Sequence, residues 1–179
     1  MNCYNCPSYP LKPIKLEHDL PARECHRCGG LHIDLLSYRS WRDSRDHNNT
    51  NQPAPSVEPS DNGKALVCRQ CSKLMLKYKI STDHDNYVDL CTTCDDAWLD
   101  GGEWQLLKHL DIQDKLTHIM TEPWQRKLQE KEFEKFQQEK LLEVFGAKDL
   151  ERVREFAEWV AQHEKRTDIL NYLYQKSEN

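Results

Sequence analysis

All eight cysteines of this chain fall into Cys-x-x-Cys pairs: Cys3/Cys6, Cys25/Cys28, Cys68/Cys71 and Cys91/Cys94. Eighteen residues separate the first two pairs and nineteen the last two. That is the spacing of a four-cysteine zinc site, used twice. Two residues between cysteines let a tight turn aim both sulfurs at one ion, and a short hairpin brings in the second turn. Tetrahedral zinc takes four such thiolates at about 2.3 Å. A rubredoxin-type iron site uses similar knuckles, so the choice between zinc and iron stays open. A dithiol relay needs one pair on a thioredoxin-like βαβ unit, and no such pattern is visible. Structural disulfides fit poorly with a chain expected to be cytoplasmic.

Metal is also what the composition calls for. Of 179 residues only 37% are hydrophobic and 31% are charged, which argues against one large core and for small modules held by something other than apolar burial. Bound metal contributes on the order of 10 kcal/mol or more to folding in such modules. No apolar run reaches membrane-spanning length, and no leader-like segment precedes Cys3. The net charge of -5 argues against a generic nucleic-acid scavenger.

The flanks of the knuckles repeat. "CHRCGGLHIDLL" (25–36) aligns with "CTTCDDAWLDGG" (91–102), an internal duplication. Within the second copy, "LMLKYKI" (74–80) and "NYVDL" (86–90) alternate like strands about the turn "STDHD". In the first, "LKPIKLEH" is broken by Pro13 and reads as an edge strand. The expected fold is a small metal-stabilised α+β protein: two tandem four-cysteine zinc ribbons made of short β-hairpins, then an α-helical C-terminal region. The divisions are ribbon 1 (1–42), a flexible linker (43–63), ribbon 2 (64–102) and a helical tail (103–179). The linker, "DSRDHNNTNQPAPSVEPSDNG", has three prolines and almost no apolar side chains. It should let the ribbons move independently unless they dock on each other.

Cys-x-x-Cys followed by Trp98-Leu99-Asp100-Gly101-Gly102-Glu103 resembles the bacterial zinc-ribbon family named after the transcription factor IIB zinc finger. The second repeat matches at Trp98, Leu99, Asp100, Gly102 and Glu103 and departs at Asp96, where the family has Gly. The first repeat keeps Gly29 and Gly30, has His32 in place of Trp and lacks the Gly-Glu pair. The resemblance covers the two ribbons and implies a zinc-ribbon fold; it does not reach residues 104–179.

Asp100 and Glu103 form a D-x-x-E arrangement, read as a helix N-cap with its capping-box partner. Beyond it the tail divides into helices at 103–120, 123–145, 147–166 and 167–176, with Pro123 in a first turn, Gly146 as a C-terminal cap and Thr167 as an N-cap. Leu150, Val153, Ala157 and Val160 form a seam that wants a helical partner. Phe133, Phe136, Leu141, Val144 and Phe145 form a stripe that reads either as a solvated helix face or as a partner-docking surface.

The metal ligands are therefore Cys3, Cys6, Cys25, Cys28, Cys68, Cys71, Cys91 and Cys94, holding two structural zinc ions. Four thiolates leave no open position for substrate, and no catalytic motif occurs, so a non-enzymatic protein with no small-molecule substrate and no membrane partner is expected. The expected function is a binding or regulatory adaptor that docks on a protein partner, or self-associates, through its tail. The alternative is a transcription-related nucleic-acid binder. Ribbon 1 has six Lys/Arg against four acids, with Arg23, Arg27, Arg39 and Arg42 as the contact residues and Tyr4, Tyr9, Tyr38 and Trp41 for stacking.

Overall fold

The computed structural model describes residues 1–44 and 63–177, so residues 45–62 of the expected linker lie outside the described residues. Six strands occur among the described residues: β1 (Lys12–Lys15), β2 (Pro21–Glu24), β3 (Leu31–Asp34), β4 (Leu76–Lys79), β5 (Tyr87–Cys91) and β6 (Asp96–Leu99). They form one antiparallel sheet in the order β1-β2-β3-β6-β5-β4. Pro13 sits on the edge strand β1, where a missing N–H is tolerated. At the opposite edge, the Gln125 side-chain amide accepts from Lys79 N at 3.1 Å and donates to Lys79 O at 2.9 Å.

The ribbons dock on each other through one shared sheet, the exception to independent motion. Strand β3 of the first repeat pairs with β6 of the second, in the register Leu31↔Leu99, His32↔Trp98, Ile33↔Ala97, Asp34↔Asp96. His32 and Trp98 are also the residues that align in the internal repeat. A local two-fold relation between the copies thus passes through the His32–Trp98 pair. Knuckle contacts follow the same relation. Leu35 N donates to Asp95 O at 3.0 Å on the second repeat's knuckle, while Gly101, the residue matching Leu35, lies against Cys28 O of the first.

Each face of the sheet has its own core, because β residues alternate sides. On the inner face, Ala22, Leu31, Ile33, Val88, Ala97 and Leu99 pack against Tyr38 and Trp41 of α1 (Leu35–Asp43), Trp104, Leu106 and Leu107 of α2 (Glu103–His109), and Leu116 and Ile119 of α3 (Leu116–Ile119). Asp34 caps α1 by accepting Ser37 N at 2.7 Å. On the outer face, Tyr4, Leu11, Leu66, Met75 and Trp98 pack among the cysteines. Residues 103–119 therefore complete the core under the sheet. The expected helix over 103–120 is broken at Asp111, whose φ of 54° is left-handed.

Contacts divide the chain into a unit spanning Met1–Glu130 and a second spanning Lys131–Asn179. Helix α4 (Glu122–Gln162) crosses that division, and α5 spans Arg166–Ser177, one residue ahead of the expected cap Thr167. Inside α4, Gly146 has φ 72° and ψ 162°, outside the helical region. The Arg154 guanidinium donates to the Gln138 amide oxygen, eight residues before the glycine and eight after it. A straight helix would hold those residues roughly 24 Å apart. The second unit thus doubles back at Gly146 into two helical arms. Of the expected seam, Leu150 and Val160 are buried, whereas Val153 and Ala157 are exposed.

Candidate metal centres

The turns that carry the cysteines are stabilised locally. Cys6 N, Gln70 N and Cys94 N point at the sulfurs of Cys3, Cys68 and Cys91 at 3.3, 3.4 and 3.4 Å. In three of the knuckles the residue after the second cysteine is left-handed: Gly29 at φ 68°, Ser72 at φ 58° and Asp95 at φ 58°. These turns gather the sulfurs of Cys3, Cys6, Cys25 and Cys28, and of Cys68, Cys71, Cys91 and Cys94, into two groups, each within 4.8 Å. The pairs Cys3–Cys28, Cys71–Cys91 and Cys68–Cys94 are 3.6, 3.5 and 3.8 Å apart. A tetrahedron with metal–sulfur bonds of about 2.3 Å has edges of about 3.8 Å, whereas a disulfide is far shorter. The residues therefore fit two four-sulfur metal ions.

Burial pushes the thiols of Cys3, Cys28, Cys91 and Cys94 up, helped by neighbouring cysteines. The Lys73 backbone N–H draws Cys71 down to about 7. Packed thiolates repel one another and lose hydration, so full ionisation of a group calls for a cation at its centre.

Between the two groups, the outer face shows how the copies diverged. In one half, the Trp98 ring lies over Gly30, where an added Cβ would come within 2.2 Å of the indole. Trp98 Nε1 donates to Asp100 at 2.8 Å, and Asn5 also donates to that carboxylate. In the other half, His32 replaces Trp and Asp96 replaces Gly. Their side chains are 7% and 2% exposed, and His32 Nε2 lies 3.2 Å from Asp96 Oδ1. Gln70, the counterpart of Asn5, donates to Asp96 at 2.6 Å. Burial pushes the His32 pKa down and the Asp96 pKa up, while the mutual contact pulls each the other way. The exchange of Gly30 for Asp96 between the aligned repeats is thus the partner of the exchange of Trp98 for His32. Tyr4 stacks between the halves, with its ring centre 4.7 Å from Trp98 and 6.3 Å from His32. Where Trp is missing, a groove of about 830 Å³ opens, lined by Lys15, Arg23, His32, Asp34, Gln70 and Asp96 among others.

The D-x-x-E arrangement is built differently from the expectation. Glu103 does reach back, accepting Asp100 N at 2.6 Å. The cap position, however, belongs to Gly102 with φ 90°, and the Asp100 carboxylate serves Trp98 and Asn5 instead. Fully buried Glu103 also accepts Tyr87 N at 3.2 Å and Asn86 at 3.4 Å, tying the second hairpin to α2.

The four arginines named as nucleic-acid contacts have separate engagements. Arg39 pairs bidentately with Asp95, Arg42 binds Asp43 and Thr117, and Arg27 lies 4.8 Å over Tyr9. Arg23 lines the groove. Of the four stacking aromatics, Tyr4, Tyr38 and Trp41 are buried. Phe133, Phe136, Leu141, Val144 and Phe145 are all exposed, by 38 to 74%. Sequence reasoning missed Tyr4's central place, the His32–Asp96 pair, Gln70 and Glu17. The coupled exchange of Trp for His and Gly for Asp between aligned repeats was the signal for the pair. No family model, curated protein or solved structure matches the chain. No helix among the described residues is long and apolar enough to cross a membrane.

Proposed function

We propose that this chain is a non-enzymatic adaptor: a platform of two zinc ribbons fused edge to edge, each ribbon holding one structural zinc, joined to a helical arm that docks on protein. Zinc or iron would satisfy four sulfurs at these separations, and zinc is the reading preferred because it holds shape without redox chemistry. Four thiolates fill the coordination sphere, so the metal itself lacks a position for substrate. The resemblance of Trp98–Glu103 to the zinc-ribbon family of the transcription factor IIB finger supports the fold assignment. A cytoplasmic setting, where thiols stay reduced, suits eight free cysteines.

The observation that carries the adaptor reading is the exposure of large apolar side chains along the arm. Phe133, Phe136, Phe156 and Trp159 are 61, 51, 42 and 52% exposed, where a freely solvated helix would carry polar residues. The nucleic-acid alternative has less support, because three of its four arginines already have partners. The test is capture of the tagged full chain from its own cells, with and without nuclease, for wild type and for Phe133→Ser/Phe136→Ser. Partners that survive nuclease and are lost with the double substitution support the reading. Partners lost to nuclease alone overturn it.

A further inference from the structure

We propose that the helical arm docks on the arm of a second copy of this chain, an inference that rests on the reading of the arm as a docking element. The second unit buries only Leu150 and Val160 among the residues of its two arms. Seven aromatic rings of the second unit are 42 to 67% exposed: Phe133, Phe136, Phe145, Phe156 and Trp159 on the arms, and Tyr172 and Tyr174 on α5. An aromatic side chain offers 150–250 Å², so these rings alone present on the order of 700 Å² to solvent. Exposed Leu141, Leu142, Val144, Val153, Leu170 and Leu173 add to it. A standard stable interface takes about 800 Å² from each partner, so the second unit, arms and α5 together, has the area for one.

Charge chooses the occupant. The arms 131–145 and 147–162 each carry three Lys/Arg and four Asp/Glu, interspersed among the apolar positions. An arm evolved for a strongly basic or strongly acidic partner would carry an excess of one sign. A two-fold interface uses one patch on both sides, so the patch must complement itself, and mixed signs on each arm allow this. Rows such as Lys131-Glu132 and Glu134-Lys135 can face their reversed counterparts on an antiparallel second arm. Two doubled-back arms then assemble as a four-helix bundle, a geometry in which apolar stripes of this kind meet at the centre.

The experiment is sedimentation velocity of the metal-loaded full chain from about 1 to 100 µM, the range in which moderate self-association is read. Wild type should move from 21.2 kDa towards twice that mass as concentration rises. Phe136→Asp/Trp159→Asp should stay monomeric throughout; both positions are exposed, so the fold of the single chain does not depend on them. Retention of two metal ions in that variant verifies that its platform is intact. Dimerisation unaffected by the double substitution, or a wild type monomeric at every concentration, overturns the inference. In the monomeric case, the capture experiment decides whether the arm still serves another protein, so the two readings fail separately.

Discussion

Glu17 ties together parts of the chain that lie far apart in sequence. Its backbone oxygen accepts Trp41 Nε1 at 2.9 Å, and its carboxylate accepts Trp104 Nε1 at 2.6 Å and pairs with Lys108. Burial disfavours its ionised form, but the Lys108 and Trp104 hydrogen bonds outweigh that and hold its pKa below the ordinary 4.5. A carboxylate depressed on folding stabilises the protein above its unfolded value, and that contribution is lost as pH falls through the folded value. Wild type should therefore exceed Glu17→Gln in stability near neutrality, by under about 1 kcal/mol because the group is partly exposed. The gap should close below about pH 4.5, in denaturation series on both proteins; a gap constant with pH would contradict this. Gly30 is the other sensitive residue. Adding a Cβ drives it into Trp98, so Gly30→Ala should cost about 1–3 kcal/mol, read by chemical denaturation.

At the scale of elements, the hairpins were legible and their union was not. Alternation gave β4 and β5, and Pro13 placed β1 at an edge, because those signals are local. The β3–β6 ladder joins residues on either side of a polar, proline-bearing linker, and nothing local records which strand a strand will meet. The repeat alignment held the clue: both final strands offer a hydrophobic inner face, and His32 and Asp96 depart from the pattern together. The two cysteine groups were legible down to each member, while the groove beside them depended on the pairing that was missed. The exchange can be tested as a pair. His32→Trp alone drives an indole onto Asp96, and Asp96→Gly alone leaves His32 buried without its partner. The double variant recreates the Gly30–Trp98 arrangement. It should be more stable than the sum of single effects predicts, by on the order of 1–3 kcal/mol in a double-mutant cycle. Additive effects would mean that the two departures are unrelated.

For the whole molecule, one sheet shared by two metal groups means that neither group folds on its own account. A chelator should unfold Met1–Glu130 in one transition, followed by loss of tryptophan and amide signals together. Cys68→Ser should weaken metal retention at Cys3, Cys6, Cys25 and Cys28 as well, seen as fewer than one ion kept per chain when the fully loaded variant is dialysed; one firmly held ion would show that the repeats are independent. The sheet's outer borders carry a last consequence. Gln125 occupies Lys79's backbone groups as a neighbouring strand would, and Pro13 withholds a donor at the other border. A duplicated strand-pairing unit could in principle recruit further units without limit. Here the ladder is stopped at both ends, which keeps strands of further copies from adding to it as they do in fibres.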